Sequence, residues 1–303
     1  MSNSSSVQSI VPCSLDSDLP GDRRIQSGAS SQRLAKIQPN VTESLPETTI
    51  SSRLWQVPAE HPSLGSAEAH VWRASLEQPV RIVESLYRIL SPDEQARANR
   101  FHFEKDRRHF IVARASLRKL LGQYLAIQPT KLRFAYGDYG KPQLAPAILD
   151  QAAKLNFNLA HADGLAVYAF TRLGEIGVDL ERVKPAFAGE DIARRFFSEA
   201  EVNSFDQLPA EDRPLAFFNC WTRKEAFIKA KGLGLSLPLD QFDVTLAPDQ
   251  EASLLRMRWD ESEASRWSLR ALEIGPGYVG AVAIEAHDWQ LSYWHFQSTQ
   301  ELD

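Results

Sequence analysis

Trp221, Glu225 and Lys229 recur at intervals of four within WTRKEAFIKAKGLGLSLPLDQF, residues 221–242. On a helix that spacing stacks an aromatic ring, an acid and a base on one face. A solvated helix has no use for the tryptophan, and a core helix has none for the charges. Upstream, Asp179-Leu180-Glu181 places two carboxylates at i and i+2, which on a strand point the same way, roughly 6–7 Å apart. In a strand that otherwise reads as buried they repel each other, and a divalent cation between them removes the penalty. The alternative is a strand end where both acids face water. Glu225 supplies a third carboxylate; its alternative is an i,i+4 ion pair with Lys229, worth a few tenths of a kcal/mol when exposed. Three carboxylates with few histidines favour magnesium or manganese over zinc. Magnesium held by few protein ligands engages substrate phosphate as well. Phosphate chemistry follows, with Lys229 as the charge partner of a leaving or bridging phosphate.

Positive charge elsewhere fits that chemistry. Arg97, Arg100, Lys105, Arg107, Arg108, Arg114, Arg118 and Lys119 stand against Glu104 and Asp106 alone. On an amphipathic helix most of these read as a solvated face, from which one or two reach a phosphate. His161, before a turn, and Lys141, after Tyr139-Gly140, each have a bland alternative as a structural histidine and an exposed turn lysine. The Gly-Leu-Gly at 232–234 follows its helix and lacks a Gly-Lys-Ser/Thr ending, so it is no Walker loop. Gly232 reads as a helix C-cap.

The elements that must position these residues are legible. HVWRASL (70–76) predicts a strand. Ser91 and Pro92 open a short helix, and Phe110, Ala113, Leu117, Leu120, Leu121 and Tyr124 mark a long one. KLRFAYGDYGKPQL gives strand character on both sides of a turn, and LNFNLAHADGLAVYAF reads as a hairpin turning at Asp163-Gly164. IGVDLERV begins the plan again: a helix around EDIARRFF, a capping box from Ser198 to Glu201, a long helix from about Leu215 to Lys231, then strands in LDQFDVTLA, RWSLRALEI and YVGAVAIEA. The fold class expected is α+β, a pseudo-twofold pair of similar subdomains with a cleft between them. The halves are set at 53–174 and 175–290, with a C-terminal extension at 291–303. Residues 1–52 hold many serines and no aromatic residue, and are expected to be a disordered tail.

A length of 303 residues with 43% hydrophobic content suffices for one or two cores. The net charge of −5 calls for neither nucleic acid nor an anionic membrane. Two distant cysteines, Cys13 and Cys220, offer no disulfide framework or zinc motif. No apolar run approaches a membrane span, and the N-terminus lacks a signal-like apolar stretch. A cytoplasmic protein is expected.

RFHFEKDRRHFIVARASLRKLL, YGKPQL, FNLAHA, IGVDLERVKP, RFFSEAE and WTRKEAFIKAKGLGLSLPLDQF stand in this order. The set resembles 4'-phosphopantetheinyl transferases of the two-half, surfactin-synthetase-activating type, from about residue 70 to about 285. The resemblance implies transfer of the phosphopantetheine arm of coenzyme A to a serine of an acyl or peptidyl carrier protein, with magnesium and release of adenosine 3',5'-bisphosphate. It implies Asp179, Glu181 and Glu225 as metal ligands, with Glu225 also the base. Lys229 would bind the pyrophosphate and meet the leaving bisphosphate. His161 and Lys141 would contact coenzyme A phosphates, and Arg97 its nucleotide end. A monomer is expected, since one chain supplies both halves. The family often has serine on both sides of the histidine, where Ala160 and Ala162 stand here, so a weaker hold on coenzyme A is expected, restored by Ala160→Ser. Two other readings remain: a magnesium enzyme acting on another nucleotide pyrophosphate without a carrier, and a non-catalytic module that binds carrier protein or coenzyme A.

Overall fold

The computed structural model describes residues 54–149, 154–184 and 189–298; the serine-rich segment 1–52 lies outside them. In the first half, β1 (Glu68–Ser75) leads through α1 (Val80–Tyr87) and α2 (Pro92–Ala98) to the long helix α3 (Glu104–Leu125). A small ribbon, β2 (Phe134–Tyr136) and β3 (Pro142–Leu144), precedes the short helix α4 (Pro146–Leu149) and the hairpin β4 (Asn156–Ala162) and β5 (Leu165–Thr171). The second half repeats the plan. β6 (Ile176–Arg182) leads through α5 (Glu190–Phe196) and α6 (Glu199–Asp206) to α7 (Arg213–Lys231). A ribbon of β7 (Phe242–Val244) and β8 (Leu254–Met257) precedes β9 (Ser268–Leu272) and β10 (Tyr278–Ile284).

Strand order carries the duplication: β1-β5-β4 in one sheet and β6-β10-β9 in the other, every pair antiparallel. The expected α+β pair of similar halves is what the chain forms. Each sheet turns one face to its own long helix and the other to a shared core. Trp72, Tyr168 and Phe170 pack under α3; Ala281 and Ala283 pack under α7 with Trp221 and Phe227. Val71, Val167, Ala169, Val178, Leu180 and Val282 fill the space between the halves. The alternation of side chains along a strand sorts these sets.

Four elements went unread in the sequence: the short helix α4, the strand β8, α1 and β11. α1 begins after Pro79 and buries Val83 and Leu86. Residues 291–303 were set apart as an extension, yet β11 (Gln290–His295) pairs parallel with β1, Tyr293 opposite Val71. No helix among the described residues is long and apolar enough to cross a membrane.

Both halves carry the same buried lock. Glu94, third residue of α2, accepts from Ser91 N–H at 3.0 Å and from Arg118 Nε of α3 at 2.7 Å. Arg118 also donates to the carbonyls of Pro129 and Leu132. Glu201 of α6 accepts from Ser198 N–H at 2.8 Å and pairs with Lys224 of α7 at 2.8 Å, and Lys224 donates to the carbonyls of Leu239 and Phe242. The capping acid therefore cements a short helix to a long one in each half. Arg114 and Arg118 are buried, which corrects the reading of these two as part of a solvated face. The amphipathic pattern counted them as polar, but Glu94 and backbone carbonyls satisfy a buried guanidinium. Glu94→Ala and Glu201→Ala each strand a buried cation, and urea denaturation should show a loss of about 3–5 kcal/mol for either. A loss below about 1 kcal/mol would mean that the cation finds water instead.

Candidate active site

The site is built on one close contact. A Cβ on Gly177 would lie 2.1 Å from the Ala226 carbonyl oxygen and 2.3 Å from Ala230 N, so α7 rests directly on the β6 backbone. Two residues on, Asp179 points to the same face of β6. From Trp221 to Ala230 every residue of α7 is buried except Glu225 and Lys229. That stretch opens only where the acid and the base stand. Trp221 explains the rest of the stripe: it stacks on Phe217 and meets Phe196 edge-on in the second-half core. Pro214 starts the helix, and Gly232, at φ 69°, ends it by donating to Ile228 O at 2.9 Å, the C-cap read from the sequence.

Lys229 Nζ donates to Asp179 Oδ1 at 2.7 Å. Asp179 is 3% exposed, and its Oδ2 is buried without a partner. Burial raises the Asp179 carboxyl, while Lys229 pulls against that rise. Burial, then the charge of Asp179, pushes Glu181 up to about 8. Burial, then Asp179, pushes Glu225 up to about 7. Burial works against the Lys229 ammonium, but Asp179 and Glu225 overcome it and leave its pKa above the ordinary lysine value. Three acids thus crowd one point with a single ammonium among them. No group of three His, Cys, Asp or Glu side chains among the described residues is arranged as a metal site, and Lys229 occupies one Asp179 oxygen. The donor set still fits a hard divalent cation: its oxygens are carboxylate, one is orphaned, and burial holds all three acids above their ordinary pKa, with the charge of Asp179 adding to the rise at Glu181 and Glu225.

The first half supplies the opposite wall. His161, on β4, keeps Nε2 buried without a partner. Burial, then Lys229, then His109 lower its pKa to about 4, so it is a neutral imidazole beside the cluster. Lys141 reaches across from the β2–β3 ribbon, donating to Glu175 Oε2 at 2.7 Å and to Ala230 O at 2.8 Å. Its ammonium therefore sits one residue from Lys229 along α7 and is no free turn lysine. Arg97 lies over the Phe110 ring, Cζ 5.4 Å from its centroid, at the end of α3 that carries His109. Ala160 packs in the core between the halves, on the face of β4 opposite His161. A serine there would not put its hydroxyl beside the histidine, so the expected rescue by Ala160→Ser loses its basis.

The sequence reading passed over three residues. His109 acts on His161 and hydrogen-bonds Glu77 at 3.0 Å; Glu175 holds Lys141; Asn158 joins β4 to β6. For Asn158 the signal was present, an amide in a strand that buries both faces.

The boundary between the halves is also a boundary in similarity. Residues 71–172 match the family described as 4'-phosphopantetheinyl transferase, N-terminal, and residues 175–284 match the 4'-phosphopantetheinyl transferase superfamily. The 4'-phosphopantetheinyl transferase HetI of Nostoc sp. is 38% identical over 234 residues, covering 77% of this chain and 94% of the relative. The chain belongs to the 4'-phosphopantetheinyl transferase superfamily. The transferase Sfp of Bacillus subtilis is 30% identical over 206 residues, 68% of this chain and 87% of its own. The human L-aminoadipate-semialdehyde dehydrogenase-phosphopantetheinyl transferase is 28% identical over 214 residues, 66% and 69% of the two chains. In this transferase the two matched stretches meet between β5 and β6, where one half gives way to the other.

Two outcomes follow from the site. Gly177→Ala forces α7 off β6, and denaturation should show a loss of about 1–3 kcal/mol; an unchanged midpoint would mean the helix does not rest on the strand. The pH effect has a definite sign. Glu225 is held near 7 against 4.5 in an unfolded chain, so the folded state binds the proton more tightly. Its stabilising effect is complete below 4.5 and is lost as pH rises through about 7. In metal-free buffer, Glu225→Gln should therefore gain on the wild type in melting temperature between pH 5 and 8. A gap that does not change with pH would show that Glu225 ionises as an exposed acid does.

Proposed function

We propose that this transferase moves the 4'-phosphopantetheine arm of coenzyme A onto a serine hydroxyl of an apo acyl or peptidyl carrier protein, with magnesium, releasing adenosine 3',5'-bisphosphate. The observation that carries the reading is the opening of the buried Trp221–Ala230 stretch of α7 at Glu225 and Lys229, directly over Asp179. Asp179, Glu181 and Glu225 would hold the magnesium, which supplies positive charge to the pyrophosphate oxygens. The serine Oγ bonds to the phosphorus of the pantetheine arm as the bond to the bridging oxygen breaks. The serine proton passes to Glu225, directly or through water; a carboxyl raised to about 7 is poised for that transfer near neutral pH. Lys229 meets the charge that gathers on the departing bisphosphate. Neutral His161 has an unused ring nitrogen to give a phosphate oxygen, and Lys141 retains a third N–H beyond Glu175 and Ala230 O. Arg97 is assigned to the nucleotide end.

Intact-mass measurement of an apo carrier protein with this chain, coenzyme A and magnesium tests the reading. The carrier should gain one phosphopantetheine, and EDTA should stop the gain until magnesium is returned. Lys229→Ala and Glu225→Ala should each lower the rate by about 10²–10³. Coenzyme A binding with no product on several carriers would turn the reading to a binding module. Pyrophosphate cleavage that needs no carrier would turn it to a different enzyme.

A further inference from the structure

We infer that Asn158 is a positioning residue that sets the register of one wall of the cleft against the other; this rests on the reading of the cleft as the transfer site. β4 and β6 are edge strands of separate sheets, and no backbone ladder joins them. β10 occupies the other edge of β6. What crosses the junction is a side chain: Asn158 Oδ1 accepts from Val178 N–H at 3.0 Å. Asn158 is 4% exposed, and Val178 lies in the core between the halves.

The position of this bond gives it its consequence. Val178 immediately precedes Asp179, and Asn158 stands three residues before His161. Along a strand these offsets place Asp179 and His161 on the outer faces while the amide bond lies inside. A single buried hydrogen bond therefore ties the backbone that carries Asp179 to the strand that carries His161. Other side chains span the halves elsewhere. Lys141 reaches Glu175 and Ala230 O, Tyr278 OH donates to Asp163 O at 3.0 Å, Arg73 donates to Ile274 O at 2.7 Å and Trp55 to Glu273 O at 2.7 Å. None of these bonds touches the β6 backbone beside the carboxylates. A substrate held through its phosphates by the first half and attacked over the second depends on that register, because misplacement by about 1 Å can cost about 10² in rate.

The test compares wild type, Asn158→Ala and Asn158→Asp well below their melting temperatures, with amide exchange of Val178 measured alongside. Asn158→Ala should lower kcat by about 10–100-fold with the KM for carrier protein unchanged, and Val178 should exchange faster while the other β6 amides keep their protection. Asn158→Asp keeps an acceptor oxygen and should recover Val178 protection and part of kcat. A cycle with His161→Ala should be non-additive, the second substitution costing less once Asn158 is gone. A purely structural role would lower the melting temperature and leave the cycle additive. Wild-type kcat in Asn158→Ala, additivity, or unchanged Val178 exchange would overturn the inference. Should Asn158→Ala not fold, Asn158→Asp decides: loss of Val178 protection or of more than about tenfold in kcat overturns it, and retention of both supports it. A wild-type chain that modifies no carrier would instead defeat the proposed function, and unchanged Val178 exchange in Asn158→Ala would still refute the junction.

Discussion

The contact of α7 with β6 at Gly177 is the constraint on which the rest depends. Helix axes normally stand off a sheet by the thickness of two side-chain layers. Here a missing side chain lets backbone meet backbone, and the reach of the lysine side chain then suffices to bring Lys229 onto Asp179. The same approach denies the carboxylates their water, which is why burial heads the causes that raise all three acids. Charge density at the site is thus a result of packing, and the packing is reinforced by the aromatic residues around Trp221, one turn before Glu225 on the same helix.

The two halves show what duplication preserved and what it allowed to diverge. The lock between the short and long helices survives in both, with Glu94 and Arg118 in one and Glu201 and Lys224 in the other. Its chemistry is structural, and either cation serves because backbone carbonyls complete the shell. The acids of the candidate site are not shared. β6 carries Asp179 and Glu181, whereas β1 turns His70 and Trp72 toward α3, where both meet the Tyr124 hydroxyl. One half became a wall of ring nitrogens and ammonium groups, and the other a wall of carboxylates.

Much of this was readable from residue order. The stripe on α7 and the pair on β6 announced themselves because charges in apolar periodicity need a reason. The duplicated plan was visible because each half repeats its strand and helix signals in the same order. What escaped was set by contacts far apart in sequence. Nothing local marks Arg114 and Arg118 as buried, since the acid that pairs with Arg118 lies on another helix. β11 was missed because its partner, β1, stands at the opposite end of the described chain. The face of β4 on which Ala160 lies became clear only once the core between the halves was seen. The occupant of the Asp179 oxygen was likewise beyond the reach of spacing, which placed Lys229 near Glu225 but not on the neighbouring strand.

β11 has a further effect. A chain that copies a three-stranded unit also copies its open edge, and an open edge recruits strands from other molecules. The β1 edge is taken by β11, and β11 in turn is bridged by Gln56, whose N–H donates to Tyr293 O and whose carbonyl accepts from His295 N–H. The start and the end of the described chain thus close on each other along one sheet. The chain acts as its own neighbour there.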